Sequence, residues 1–129
     1  MGDNNNLPKL EGFDLNIAMD ILQSEEVVQV ILIEFDDFLE QIVPKLERLY
    51  SENMTEEDMK NYRMEVHSLK SSAATVGAME LSELAKTQEM AAIDRNMERI
   101  KELHPVVLEH VAKAKEVLHR YVQEHVIKN

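Results

Sequence analysis

Near the middle of this sequence, His67 is followed by Lys70 at i+3 and by Ser71, Ala74 and Gly77 at i+4, i+7 and i+10. Positions three and four apart on a helix share a face. A helical segment here would therefore set one ammonium and a row of small side chains beside an imidazole. A neutral imidazole nitrogen is a nucleophile near pH 7, because its unperturbed pKa is about 6.5. A lysine one turn on has a flexible stem and can reach a group attached to the ring. Phosphoryl transfer asks for in-line approach and charge stabilisation more than for elaborate covalent machinery. Small neighbours would leave the ring open to a second macromolecule. An isolated histidine is an ordinary surface residue; the joint pattern carries the argument.

The pattern works only if a helix holds His67 outward. Met59, Tyr62, Val66, Leu69, Ala73 and Val76 recur at helical spacing, and the centre of that seam lies roughly 125° of arc from His67 at 100° per residue. The imidazole should therefore face solvent. Thr55 followed by Asp58 reads as a capping-box-like start, with Glu56 and Glu57 favourable in the first turn, and Gly77 should end the helix.

Four more helices follow from the same rules. A short one should follow Asp14 as N-cap, with Ile17, Ile21 and Leu22 on one side. A long one should begin near Ser24, with Val28, Leu32, Phe35, Leu39, Ile42, Leu46 and Leu49 as its seam and a kink rather than a break at Pro44. Ile31, Ile33 and Phe38 fall off that seam, to pack elsewhere or to form a docking patch. Residues 78–93 should bury Leu81, Leu84, Ala85 and Ala92. The last helix, capped by Asn96 and bent at Pro105, carries Met97, Ile100, Val107, Val111, Ala114, Leu118 and Tyr121 on one stripe. The expected fold is all-α: an up-down four-helix bundle over residues 13–126, with a short extra N-terminal helix and a flexible segment at 1–12.

Composition bounds the alternatives. The chain has 129 residues, 44% hydrophobic and 30% charged, which suits one globular domain with a core of its own. It has no cysteine, so disulfides and thiolate metal sites are excluded. The net charge of −11 is unevenly spread: residues 1–60 carry 4 basic and 15 acidic side chains, whereas residues 61–129 carry 10 of each. Such a chain repels nucleic-acid phosphates and anionic lipid. The apolar run Val27–Ile33 is too short to span a bilayer, and the first residues lack the basic flank and apolar core of a secretory signal. The expectation is a soluble, cytoplasmic monomer that binds neither nucleic acid nor membrane.

The stretch His67-Ser68-Leu69-Lys70-Ser71-Ser72-Ala73-Ala74-Thr75-Val76-Gly77-Ala78 resembles the signature of the histidine-containing phosphotransfer domain family. The following Leu81-Ser82-Glu83-Leu84-Ala85-Lys86 fits that family's next helix. The general likeness spans about residues 12–123, and its specific part is residues 66–85. By this resemblance His67 accepts a phosphoryl group on Nε2 from an aspartate of one receiver domain and passes it to another, as a phosphorelay intermediate in two-component signalling. Lys70 would stabilise phosphoryl charge, and Ser71 and Gly77 would be small residues beside the site. Ser71 stands where the family often has glycine. The implied partners are response-regulator receiver domains, those of hybrid sensor kinases among them. No cofactor is implied for this chain, since the metal ion for transfer is expected on the receiver.

Three other classes fit less well. A di-iron bundle needs two Glu-x-x-His motifs and two further glutamates, whereas Glu116 and His119 make one; such a protein would bind metal stoichiometrically. A structural adaptor would share the helical seams and take no label. A sensor-kinase dimerisation domain places an acidic residue right after its histidine and a proline a few positions on, whereas here Ser68 follows and the next proline is Pro105. There is no Gly-rich loop, Walker lysine or kinase signature, so the chain reads as a phosphotransfer protein without a kinase or nucleotide site of its own.

Overall fold

Asp14, Ser24, Thr55 and Asn96 each accept a backbone N–H with the side-chain oxygen, and each starts a helix. In a computed structural model describing residues 7–126, the helices are α1 (Leu15–Leu22), α2 (Glu25–Leu49), α3 (Glu56–Thr75), α4 (Met79–Ile93) and α5 (Met97–Tyr121). A π-helical turn over Val122–Val126 follows α5. α2 and α5 run through Pro44 and Pro105 as single helices. Among the described residues there is no β-strand beyond one isolated bridge, Leu10 with Phe13.

Short connections make sequential helices antiparallel neighbours. α3 packs on α2 and α4, α5 packs on α4 and α2, and the short α1 lies across α2 and α3. The up-down four-helix bundle with an added N-terminal helix is therefore the fold. Its centre is filled by the expected seams: Leu32, Leu39 and Leu46 from α2, Tyr62, Val66 and Leu69 from α3, and Ile100, Val107 and Leu118 from α5. Each aliphatic side chain of this kind contributes about 1.5–3 kcal/mol through burial.

Several expected faces are corrected by the packing. On α1 the buried residues are Leu15 and Ala18, while Ile21 is 57% exposed. An eight-residue helix has two turns, too few to fix which apolar edge faces inward. Leu84 and Leu49 are only partly buried, as are Met97, Ala114 and Tyr121 on the α5 stripe. Ile31, Ile33 and Phe38 are partly buried against the core, and Phe38 stacks on Phe35 with ring centroids 5.9 Å apart. Residues 1–6 lie outside the described residues. Within the rest of the segment expected to be flexible, Leu7 and Leu10 pack against the core, so the packed body reaches back beyond residue 13.

The core also holds a polar cluster. Gln88 donates to the Tyr62 hydroxyl at 3.0 Å and to the Ile100 carbonyl, and the Tyr62 hydroxyl lies 2.7 Å from His104 Nδ1. With burial favouring a neutral His104, the Tyr62 hydroxyl can donate to Nδ1 while accepting from Gln88, the ring proton then lying on Nε2. Tyr50 stacks on the same imidazole at 4.1 Å. Burial pushes the Tyr62 phenol up to about 12 and holds His104 below its ordinary range, although Glu47 pulls the latter back up. A histidine depressed by folding binds fewer protons in the native than in the unfolded chain, so stability falls as pH drops below about 6.5. The urea midpoint is expected to fall between pH 7.5 and 5.5, and His104→Phe should flatten that dependence. An unchanged slope in the variant would assign the effect to other groups.

Candidate functional site

Gly77 sets the geometry of the hairpin that carries the site. Its φ of +77° is left-handed, which ends α3, and its carbonyl accepts the Asp14 N–H at 2.9 Å. α4 then returns alongside α3. Ser82 Oγ donates to the Lys70 carbonyl at 2.9 Å, fixing the register of the two helices about one turn from the histidine.

His67 faces solvent as its helical phase requires, with 55% of its side chain exposed. Its Nδ1 lies 2.7 Å from Glu89 Oε2 on α4. Lys70 Nζ lies 2.8 Å from the other carboxylate oxygen, Oε1. One glutamate thus holds both groups of the expected pair. Burial raises the Glu89 carboxyl, but hydrogen bonds from Lys70 and His67 and their charges outweigh that, leaving it below the usual carboxylate range. An ionised carboxylate can only accept, so Nδ1 carries the proton and donates it. In the neutral ring the lone pair is then on Nε2, and the ring stands in water.

Ser71 is exposed at i+4, where its short side chain leaves the approach to the ring open. Ala74 is partly buried one turn further, and Ala73 is fully buried as helix packing. Gly77 sits elsewhere. Ten residues of helix amount to about 15 Å of rise, and a Cβ on Gly77 would meet the Asp14 carbonyl oxygen at 2.0 Å. Its smallness therefore serves the crossing of the N-terminal segment, not the space around the imidazole.

Glu89 lies on a different helix from His67 and Lys70, so the face of one helix does not reveal it. Counting outward from the Gly77 turn would have found it: His67 lies ten residues before that turn and Glu89 twelve after, at matching heights of an antiparallel pair. Of the remaining histidines, His104 belongs to the core and His125 stacks on Tyr121. His119 Nδ1 lies 2.8 Å from buried Asp36, and His110 Nδ1 lies 3.0 Å from the Val106 carbonyl. Among the described residues no group of histidine and carboxylate side chains could hold a metal ion, and no helix is long and apolar enough to cross a membrane.

The Hpt domain family model matches residues 26–123. The chain belongs to the Hpt domain family. Hpt domains are phosphotransfer modules of phosphorelay signalling, distinct from kinases, and they interact with receiver domains. No curated protein and no solved structure matches this Hpt domain significantly. The match begins within α2, and α1 precedes it.

Proposed function

We propose that this protein is a phosphorelay intermediate in which His67 takes a phosphoryl group from a receiver-domain aspartate and gives it to another receiver domain. The observation that carries this reading is a solvent-facing imidazole whose Nδ1 is held by Glu89, the carboxylate that also holds Lys70; in the neutral ring this puts the proton on Nδ1 and the lone pair on Nε2. In the forward step the Nε2 lone pair attacks phosphorus, the bond from phosphorus to the aspartyl oxygen breaks, and the aspartate leaves as a free carboxylate. Positive charge develops on the ring and is offset by Glu89. Lys70, already held at the site, offsets charge on the phosphoryl oxygens, and Ser71 leaves the approach open. The reverse sequence returns the group to a second aspartate. The divalent cation for the reaction is assigned to the receiver, and this chain needs no cofactor of its own.

Incubation with a phosphorylated receiver domain should give acid-labile, base-stable label on this chain. Label that survives acid would place the phosphoryl on another kind of residue and end the reading. Lys70→Ala should slow transfer by roughly 5- to 150-fold, from about 1–3 kcal/mol for a charge-assisted contact. Glu89→Ala should do similar harm, while Glu89→Gln, whose amide oxygen can still accept from Nδ1–H, should recover part of the rate. Equal rates in all three variants would remove both residues from the mechanism.

A further inference from the structure

The chain is acidic overall, yet its reactive face is not. Between residues 60 and 74 the solvent-facing arc of α3 presents Lys60, Arg63, His67 and Lys70. At 100° per residue, Lys60 and Arg63 fall within about 40° of His67. The one acid in that stretch, Glu65, falls roughly 160° round the helix and is partly buried. On α4, Lys86 lies one turn before Glu89 and is exposed beside the same site. Among the described residues, Lys70, Arg95, Arg99, Lys101, Lys115 and Arg120 are held in ion pairs, Arg95 with Glu56 and Lys101 with Glu52. Lys60, Arg63 and Lys86 have no such partner. The neighbouring α2 is the reverse, with Glu34, Asp37, Glu40 and Glu47 exposed.

We infer that Lys60, Arg63 and Lys86 form an electrostatic docking surface for the acidic face of a receiver domain, distinct in action from the Lys70 contact with the phosphoryl group. The inference rests on the phosphotransfer reading. A partner that carries phosphoryl on a carboxylate and gathers further carboxylates to hold a cation presents a negative contact surface. The bulk of this chain, at a net charge of −11, repels such a surface, whereas the unpaired cations beside His67 attract it. Attraction at one face and repulsion elsewhere orients the encounter and raises its rate. Exposed side chains at the rim of a contact act mainly on association and are sensitive to salt.

The test separates docking from chemistry. The wild type and the variant Lys60→Glu/Arg63→Glu/Lys86→Glu are labelled with phosphoramidate, a small donor that needs no docking surface, and transfer to a receiver domain is then followed. Equal labelling is expected, with association to the receiver at about 20 mM salt slowed at least tenfold. The gap should close near 0.5 M salt, where screening shortens the reach of these charges to a few ångström. The glutamine triple variant should fall between the two. Lys113→Glu, at an exposed position of α5 rather than on the His67 face, should transfer as the wild type does. Transfer unaffected by the reversal, or a deficit that persists at high salt, would overturn the inference, as would loss of phosphoramidate labelling. A wild type that takes label yet yields it to no receiver domain would instead bring down the relay reading itself.

Discussion

Replacing His67 by glutamine is expected to abolish labelling by a phosphorylated receiver while leaving a folded helical bundle. Glutamine is neutral and polar, and its amide can still donate to Glu89, but an amide nitrogen has no free lone pair with which to attack phosphorus. The other four imidazoles lack the arrangement at His67. His104 is buried with Nδ1 turned to the Tyr62 hydroxyl, His119 and His110 are held by Asp36 and by the Val106 carbonyl, and His125 stacks on Tyr121. None of these has its ring paired with a carboxylate that also holds a lysine, as His67 has. Because the side chain is exposed, the stability change should stay within about 0.5–1 kcal/mol. Circular dichroism and a denaturant titration check the fold, and an acid-quenched gel checks the label. Persistence of acid-labile label on the variant would remove His67 from the assignment.

Gly77→Ala is expected to produce the largest loss of stability of any single methyl added to this chain. Two costs combine. A side chain at φ +77° is strained, and the added carbon would stand 2.0 Å from the Asp14 carbonyl oxygen and 2.7 Å from its carbonyl carbon. Both of those neighbours are backbone, so no side-chain rotation relieves the clash. Left-handed strain and overpacking together suggest roughly 2–5 kcal/mol. The urea midpoint should fall with an unchanged slope, and α1 should lose hydrogen-exchange protection before the four long helices. The variant that remains folded should still accept phosphoryl from a small donor, because the imidazole lies about three helical turns away. A midpoint equal to that of the wild type would mean that the Asp14 crossing adjusts freely. Loss of labelling in folded protein would give Gly77 a direct part in the site.

The bundle was legible wherever an apolar stripe ran long enough to fix its own phase. The α2 seam from Val28 to Leu46 and the α3 seam from Met59 to Val76 are buried as the spacing requires. The four capping residues also start their helices as expected, since a cap depends only on groups a few positions away. Phase was lost on α1, where two turns left Ile21 and Ala18 indistinguishable by spacing. It was also incomplete on α4 and α5, where Gln88 and His104 are buried although polar. Their burial depends on satisfying one another through Tyr62, a relation between three helices that no single stripe displays.

The site divides along the same line. His67 and Lys70 stand out because they share one helical face. Glu89, twenty-two residues away on α4, belongs with them only once the hairpin has set two helices side by side. The sequence marks Gly77 as a helix end, but its neighbour is the Asp14 backbone, which arrives from a distant part of the chain.

Glu89 has one further consequence for a reactive group that lies on an open surface rather than in a cleft. A lysine stem has many rotamers, and confining it at the instant two proteins meet would slow the encounter by the entropy lost. Here the ammonium is moored to Glu89 Oε1 while the other oxygen steadies the ring, so the freezing of both side chains is completed during folding. With three protons to share, the ammonium can turn toward an arriving anion without leaving its anchorage. A bare helix face thereby acquires the readiness that an enclosed pocket would otherwise provide.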